Sequence, residues 1–208
     1  LILVIFISYI LYLNSLVKSQ FSSEIAPKDN VVQIQNLIDD YPKELINMLL
    51  LVEDQSFFDH IGVDFKEILR VLYGYLFEEK ELRGASTITK QLIKNTLLSR
   101  DKTLARKTDE ALMAILMEMS YDKNFILERY MNTVYLAQQG STAIHGFASG
   151  SLHYFDKDVE SLNLEEMATL VALLKGPSYY NPVNSPERLS RRVEMILSMH
   201  KNYKKIIQ

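Results

Sequence analysis

A length of 208 residues is sufficient for one sizeable domain, or for a domain with a small lobe. The formal net charge of −3 gives no indication of a nucleic-acid-binding surface. The absence of cysteine excludes a disulfide framework, a thiol nucleophile and a cysteine-based metal site.

The N-terminal segment is strongly apolar. Residues 1–17 carry no charge and consist mainly of Leu, Ile, Val, Phe and Tyr. Such a segment is at the lower limit of a bilayer span, and the leucine at position 1 indicates that the natural start lies upstream. We therefore predict a single-pass transmembrane anchor over residues 1–18. A cleaved signal peptide and a buried helix remain as alternatives, although no small-x-small cleavage site precedes Lys18.

The polar residues 19–30 are predicted to form a linker, so the folded domain spans residues 31–208. Residues 31–38 suit either a short strand or a turn of helix. Pro42 is typical of the first turn of a helix, which we predict to run to about Val52. The apolar face of this helix comprises Leu45, Ile46, Leu49 and Val52.

Two acids, Glu53 and Asp54, end this apolar helix, and two aromatic residues, Phe57 and Phe58, follow them. A carboxylate beside aromatic rings is a candidate for a raised pKa, which a general acid or base at neutral pH requires. The alternative is a helix that ends in solvated acids, with both phenylalanines in the core.

Asp64 and Glu67 are predicted to cap an amphipathic helix, in which Ile68, Leu69, Leu72, Tyr73 and Leu76 recur at helical spacing. The helix that follows it in the chain has a polar face. The side chains on this face lie at helical spacing: Thr87, Gln91, Lys94 and Asn95. Ile88 and Leu92 occupy a neighbouring stripe that can face the core. The start of the helix at Ser86 offers free backbone N–H groups, which favour an anion such as phosphate. The alternative is an ordinary amphipathic helix with a solvated polar face.

The next helix, predicted from about Leu104 to Tyr121, carries Arg106 and Lys107 one turn before Glu110. Its predicted apolar side comprises Leu104, Leu112, Ile115, Leu116 and Met119. The functional interpretation adds two cations and a second carboxylate to the phosphate site. The alternative is a set of surface ion pairs that contribute a few tenths of a kcal/mol.

The remaining sequence also favours helices. A helix over about residues 123–135 is expected to bury Phe125, Ile126, Leu127, Tyr130 and Val134. Residues 137–150, rich in small residues and glutamine, are predicted to form a loop, and two further helices begin near Asn163 and Pro186. The predicted fold class is mainly α, with at least six helices and at most one or two weak strands.

Four motifs in order resemble those of the peptidoglycan glycosyltransferase domain, glycosyltransferase family 51. The first comprises Glu53-Asp54, Phe57, His60 and Gly62. The second comprises Gly84, Ser86-Thr87, Thr89, Gln91-Leu92 and Lys94-Asn95. The third comprises Arg106-Lys107 and Glu110, and the fourth Lys123, Ile126-Leu127-Glu128, Tyr130 and Asn132. Tyr154-Phe155 and Tyr180-Asn181-Pro182 are similar to later landmarks of the family. Departures from the common pattern occur at Ala85, Lys90, Met131 and Ala137.

The resemblance implies a lysozyme-like helical head with a small jaw, between the first and third motifs, that leans on the membrane. The implied substrate is lipid II, polymerised onto a lipid-linked growing glycan with release of undecaprenyl pyrophosphate. The implied location is the bacterial cytoplasmic membrane, with the catalytic domain on its outer side and other cell-wall synthesis proteins as partners. Mg²⁺ or Mn²⁺ is common in the family, but no ligand set in this sequence demands a metal.

The resemblance assigns a role to each candidate site residue. Glu53 is the general base, and Glu110 is a second catalytic carboxylate that supports the donor or orients the cations. The residues implied to bind substrate or pyrophosphate are Asp54, Phe57, His60, Ser86, Thr87, Gln91, Lys94, Asn95, Arg106 and Lys107. Two other functions remain open: a lysozyme-like hydrolase or lytic transglycosylase, which needs no basic cluster, and an inactive cell-wall scaffold.

Overall fold

The computed structural model describes residues 1–22, 30–77, 86–99, 103–203 and 206–207. Within these ranges the chain is mainly helical, as predicted, with nine α-helices and one three-stranded sheet. It divides into two compact units. The first unit comprises Leu1–Ala26 and Ser56–Ile126, and the second comprises Pro27–Gln55 and Leu127–Gln208.

The first unit contains four complete helices and the start of a fifth: α1 (Ile2–Phe21), α3 (Phe65–Phe77), α4 (Ile88–Leu97), α5 (Leu104–Ser120) and α6 (Lys123–Thr133). Helix α1 packs against α4 and α5 through Leu13, Val17 and Phe21, which are buried. Among the described residues, α1 is the one helix long and apolar enough to cross a membrane. It continues past Lys18, so residues 19–21, predicted as linker, are helical; residues 23–29 lie outside the described ranges.

Helix α3 begins as predicted, because Asp64 Oδ1 accepts a hydrogen bond from Glu67 N at 2.9 Å. Its apolar side chains lie on the surface of the first unit: Phe65, Ile68, Leu69, Leu72, Tyr73, Tyr75, Leu76 and Phe77. The predicted jaw extends from this helix into residues 78–83, which are outside the described part of the chain.

Helix α5 buries a different stripe from the predicted one. Leu104 and Met119 are 85% and 77% exposed, so their assignment to the apolar side was wrong. The buried residues at i, i+3, i+4 and i+7 are Glu110, Met113, Ala114 and Met117. The stripe that packs against α1 and α4 therefore includes a carboxylate, whereas Leu104 and Met119 lie in the terminal turns, beyond that packing.

The second unit is built on α2 (Lys43–Glu53), which packs against α8 (Leu164–Leu173) and α9 (Pro186–Asn202). The buried surface of α2 is wider than the predicted apolar face, because every residue from Leu45 to Leu51 is buried and Val52 is half-buried. Even the polar Asn47 is buried, and its side chain bonds to the backbone of Lys43 and of residues 206–207. The apolar run therefore forms the central helix of this unit and ends at Glu53.

A small sheet completes the second unit, with strands β1 (Val31–Gln33), β2 (Tyr135–Gln139) and β3 (Thr142–His145) in the order β1-β3-β2. β1 runs parallel to β3, and β2 and β3 form an antiparallel hairpin. The strand alternative is confirmed for Val31–Gln33, the first three residues of the predicted segment. The predicted loop over residues 137–150 is wrong, because these residues form most of the hairpin and the start of α7 (Phe147–Phe155). Backbone pairing with β1, which is distant in sequence, stabilises this segment of small and polar residues.

Candidate active site

The first-motif loop lies against helix α5 in the first unit. Gly62 has a φ of +85°, and a Cβ atom there would lie 2.5 Å from the carbonyl oxygen of Ala114. Only glycine allows both this backbone conformation and this close approach. Phe57 is fully buried, whereas Phe58 is exposed and meets the Phe57 ring edge-on at 5.1 Å between centroids. The alternative that buried both phenylalanines in the core is therefore wrong for Phe58.

The second motif is tied to the first by Thr87. Its hydroxyl donates to the carbonyl oxygen of Gly62 at 2.6 Å and accepts from Lys90 N at 3.2 Å. Thr87 is thus the N-cap of α4, and the predicted burial of Ile88 and Leu92 is confirmed. Ser86, just before the cap, is half-buried, and Gly84 lies outside the described residues.

Helices α4 and α5 meet at a buried cluster of charges, which we call the Glu110 cluster: Lys90, Arg106 and Glu110. Arg106 Nη1 lies 2.9 Å from Glu110 Oε2, and Lys90 Nζ lies 3.7 Å from Glu110 Oε1. The three side chains are 16%, 14% and 7% exposed, respectively. The surface-ion-pair alternative is therefore wrong for Arg106 and Glu110.

Other residues predicted to bind phosphate lie nearer the surface of the first unit. Gln91 is half-buried, and Lys94, Asn95 and Lys107 are exposed. Burial therefore falls along the predicted polar face of α4, from the buried Thr87 to the exposed Lys94 and Asn95. Exposed ammonium groups remain accessible to an anion from solution.

Glu118 is a site residue that the sequence reasoning missed. Its side chain is 4% exposed, and its two oxygens bind different partners. Oε1 accepts from the Thr89 hydroxyl at 2.6 Å, and Oε2 lies 2.6 Å from Lys123 Nζ. Oε1 also lies 3.8 Å from His60 Nδ1. The available signal was helical spacing, because Glu118 lies two turns after Glu110 on the stripe that passes through Ala114.

Lys123 extends this network to the first motif. Its ammonium group donates to the carbonyl oxygen of His60 at 2.8 Å and lies 4.5 Å from the centroid of the Phe57 ring. His60 Nδ1 in turn accepts from Gly62 N at 3.1 Å. Glu118 and Lys123 therefore fix the loop between Phe57 and Gly62, so that residues of the first, second and fourth motifs share one network.

We expect Glu118→Ala to destabilise the protein by about 3–5 kcal/mol, because it leaves the half-buried ammonium of Lys123 without its carboxylate. Urea denaturation followed by circular dichroism measures this loss. Glu187→Ala, at an exposed position of α9, is the matched control and should change the midpoint little. Equal midpoints for the two variants would contradict the structural role of Glu118.

The two candidate carboxylates of the first motif belong to the second unit. Glu53 is the last residue of α2 and is half-buried; Asp54 follows it and is buried. The solvated-acid alternative is therefore wrong for Asp54. Tyr130, on α6, is fully buried, as predicted. Burial and then the charges of Glu53 and Asp54 raise the pKa of Tyr130 well above its ordinary value, so the phenol stays protonated near both acids.

Asn132, the last residue of the fourth motif, has a structural position in the second unit. It is buried, and its side chain accepts from Asn36 N at 3.0 Å and from the Tyr41 hydroxyl at 2.9 Å. Its amide nitrogen donates to Asn36 O at 2.8 Å. These bonds attach the segment between β1 and α2 to helix α6.

The second unit also contains an open cleft of about 470 Å³. Aromatic rings and uncharged polar groups line it: Tyr135, Gln138, Tyr154, Ser178, Asn181 and Asn184. Two of these, Tyr154 and Asn181, belong to the predicted later landmarks. None of its lining residues is Asp, Glu, Lys or Arg. Its chemistry suits a neutral polar ligand that offers both an apolar face and hydroxyl or amide groups.

Within the described ranges, no group of three or more His, Asp or Glu side chains could hold a metal ion. The Mg²⁺ or Mn²⁺ that the resemblance allows therefore stays an expectation.

Comparison with known proteins identifies the family. A family model described as Transglycosylase matches residues 19–201. The chain is 39% identical over 197 residues to penicillin-binding protein 1B of Haemophilus influenzae, a match that covers 91% of this chain and 25% of that protein.

Two other relatives extend this comparison. Penicillin-binding protein 1B of Escherichia coli is 42% identical over 76% of this chain, and penicillin-binding protein 1A of Neisseria lactamica is 44% identical over 77% of it. The matches span 19% and 20% of the length of those two proteins, so the chain corresponds to a quarter or less of the length of each of these three relatives. The resemblance carried by the four motifs is confirmed: the chain belongs to the transglycosylase family, glycosyltransferase family 51.

Proposed function

We propose that this chain polymerises lipid II into β-1,4-linked glycan strands of peptidoglycan by inverting glycosyl transfer, with release of undecaprenyl pyrophosphate. The main support within the molecule is the buried Glu110 cluster beside the capped start of α4. A hydrolase that releases a neutral sugar has no need of clustered cations, whereas a departing pyrophosphate requires them.

In the proposed reaction Glu53 takes the proton from the 4-hydroxyl of the acceptor sugar. The resulting oxygen forms a bond to the anomeric carbon of the donor as the bond from that carbon to pyrophosphate breaks. Attack from the opposite face inverts the configuration from α to β in one displacement, without a covalent glycosyl-enzyme. Lys94, Arg106 and Lys107 neutralise the charge that develops on the leaving pyrophosphate.

The remaining site residues support this assignment. The side chains of Ser86, Gln91 and Asn95 offer hydrogen bonds to the phosphates or the sugar. The buried Phe57 and the bonded Thr87 hold the loop and the helix start rather than contact substrate. Asp54 is buried and His60 bonds within its own loop, and the predicted contact of each with substrate stays a prediction. Glu110 orients Arg106.

The neutral cleft of the second unit is the proposed binding site for saccharide. A pyranose ring presents C–H faces that pack on tyrosine rings, and its acetamido and hydroxyl groups exchange hydrogen bonds with amides such as Asn181. A lining with one histidine and no Asp, Glu, Lys or Arg suits the uncharged sugars of a glycan strand.

The proposed location is the bacterial cytoplasmic membrane, with the catalytic part on its outer side. Helix α1 has the length and apolar composition of a span, and the exposed apolar side chains of α3 suit contact with lipid. Both substrates are lipid-linked, so a membrane-bound enzyme meets them at high local concentration. Other cell-wall synthesis proteins are proposed partners.

The test is incubation of the full chain with labelled lipid II in detergent, in parallel with purified peptidoglycan strands. Polymer formation from lipid II supports the proposal. Cleavage of the purified strands without polymer formation would instead identify a hydrolase or lytic transglycosylase. A folded chain without either activity would favour a scaffold.

We expect two N-terminal truncations to separate anchoring from packing. Removal of residues 1–8, which are exposed, should lower polymerisation on vesicles and leave it unchanged in detergent micelles, because only the local concentration of substrate is lost. Removal of residues 1–18 also deletes the buried Leu13 and Val17, at a cost of about 1.5–3 kcal/mol each. It should lower the melting temperature and the activity in both media. Identical behaviour of the two truncations would contradict the packing role of α1.

A further inference from the structure

We propose that Lys90 is a positioning residue of the pyrophosphate site, which acts by holding the carboxylate of Glu110. This inference rests on the proposed function and assigns Lys90 a role in that site. Lys90 lies in the first turn of α4, directly within the hydrogen-bonded cap formed by Thr87.

The two oxygens of the Glu110 carboxylate face cations on two different helices, α4 and α5. Arg106, on the same helix, lies 2.9 Å from Oε2, and Lys90, on the neighbouring helix, lies 3.7 Å from Oε1. A single cation would leave the carboxylate free to rotate about its terminal bond. The Arg106 contact is a hydrogen bond that orients the guanidinium, and the longer Lys90 contact is an ion pair that attracts the second oxygen of the carboxylate towards α4.

The charge of the cluster depends on Lys90. Arg106 and Glu110 alone sum to zero, so this ion pair by itself adds no net positive charge to that of Lys94 on α4 and Lys107 on α5. With Lys90 the cluster carries one net positive charge in a largely buried environment, where charges interact more strongly than in water. Lys90 therefore keeps the cluster attractive to an anion while Glu110 orients Arg106.

Replacement of Lys90 by glutamine separates the charge of the side chain from its capacity for hydrogen bonds. A neutral amide can hydrogen-bond to a carboxylate but adds no charge. Lys90→Gln therefore tests the contribution of the positive charge at this position.

The experiment compares Lys90→Gln, Lys90→Arg and the control Lys201→Gln in the full chain, with labelled lipid II in detergent micelles and a thermal melt of each variant. Lys201 is exposed on α9, and its substitution removes the same charge. We expect Lys90→Gln to lower kcat roughly 10- to 100-fold, as displaced catalytic groups do, with little change in KM and with a fall in melting temperature too small to unfold the protein at the assay temperature. Lys90→Arg should restore most of the rate, because it retains the charge.

Each other outcome has a definite meaning. If Lys90→Gln and Lys201→Gln have the same kcat, the inference is overturned and the proposed function is left intact. A loss confined to KM shows a direct substrate contact and overturns a positioning role. A loss of kcat that follows the fraction unfolded, or that Lys90→Arg does not restore, also overturns it. A wild-type chain that polymerises no lipid II overturns the proposed function itself.

Discussion

Replacement of Glu53 by glutamine is expected to reduce lipid II polymerisation by about 10²–10⁴-fold, the typical contribution of a general base. Glutamine retains the shape of the side chain and its capacity for hydrogen bonds but cannot accept the proton of the acceptor hydroxyl. Because Glu53 is only half-buried at the end of α2 and glutamine has nearly the same shape, we expect the substitution to change the melting temperature little.

Asp54→Asn is the matched comparison, because it makes the same chemical change at the next residue. Asp54 is buried, so we expect its substitution to lower stability more than Glu53→Gln does and to reduce the rate less. A continuous assay with labelled lipid II, run beside a thermal melt of each variant, measures both effects. An active Glu53→Gln enzyme, or a larger loss of rate in Asp54→Asn, would show that the base has been assigned to the wrong carboxylate.

Alanine at Lys94 or Arg106 is expected to reduce kcat by about 10²–10³-fold, as removal of one preorganised donor to a developing negative charge does. The two variants should differ in stability. Lys94 is exposed, so its loss should leave the melting temperature unchanged. Arg106 lies beside the buried Glu110, so its loss removes one of the two cations on that carboxylate and should lower the melting temperature.

The same lipid II assay tests this prediction, with thermal melts of both variants and Lys201→Ala as an exposed-lysine control. Near-normal rates in both variants would place the pyrophosphate elsewhere. A loss of rate that follows the fraction unfolded in both would instead assign Lys94 and Arg106 to structural ion pairing.

The candidate site could be predicted in outline because its features are local in sequence. The caps at Asp64 and Asn163 depend on hydrogen bonds to the residue three positions later, so a short pattern is sufficient to predict them. The apolar run before Glu53 likewise predicts a helix that ends at an acid. The order and spacing of the motifs then indicated the family.

The burial of individual side chains could not be predicted in this way. Which stripe of α5 is buried depends on the helices packed against it, so Leu104 was placed inside and Glu118 was overlooked. The exposure of the apolar side chains of α3 had the same cause, since an amphipathic pattern does not specify what covers its apolar face.

The sequence by itself determined the helical class, the helix caps, the apolar N-terminal helix and the residue types that can perform glycosyl transfer. Only the tertiary structure decided the pairing of β1 with β3, the contact of Gly62 with Ala114 and the ion pair of Lys90 with Glu110. These contacts join residues far apart in the chain, and no periodicity along one segment contains information about them. A charged residue can therefore be recognised from sequence, but the carboxylate or carbonyl that orients it becomes known only when the chain has folded.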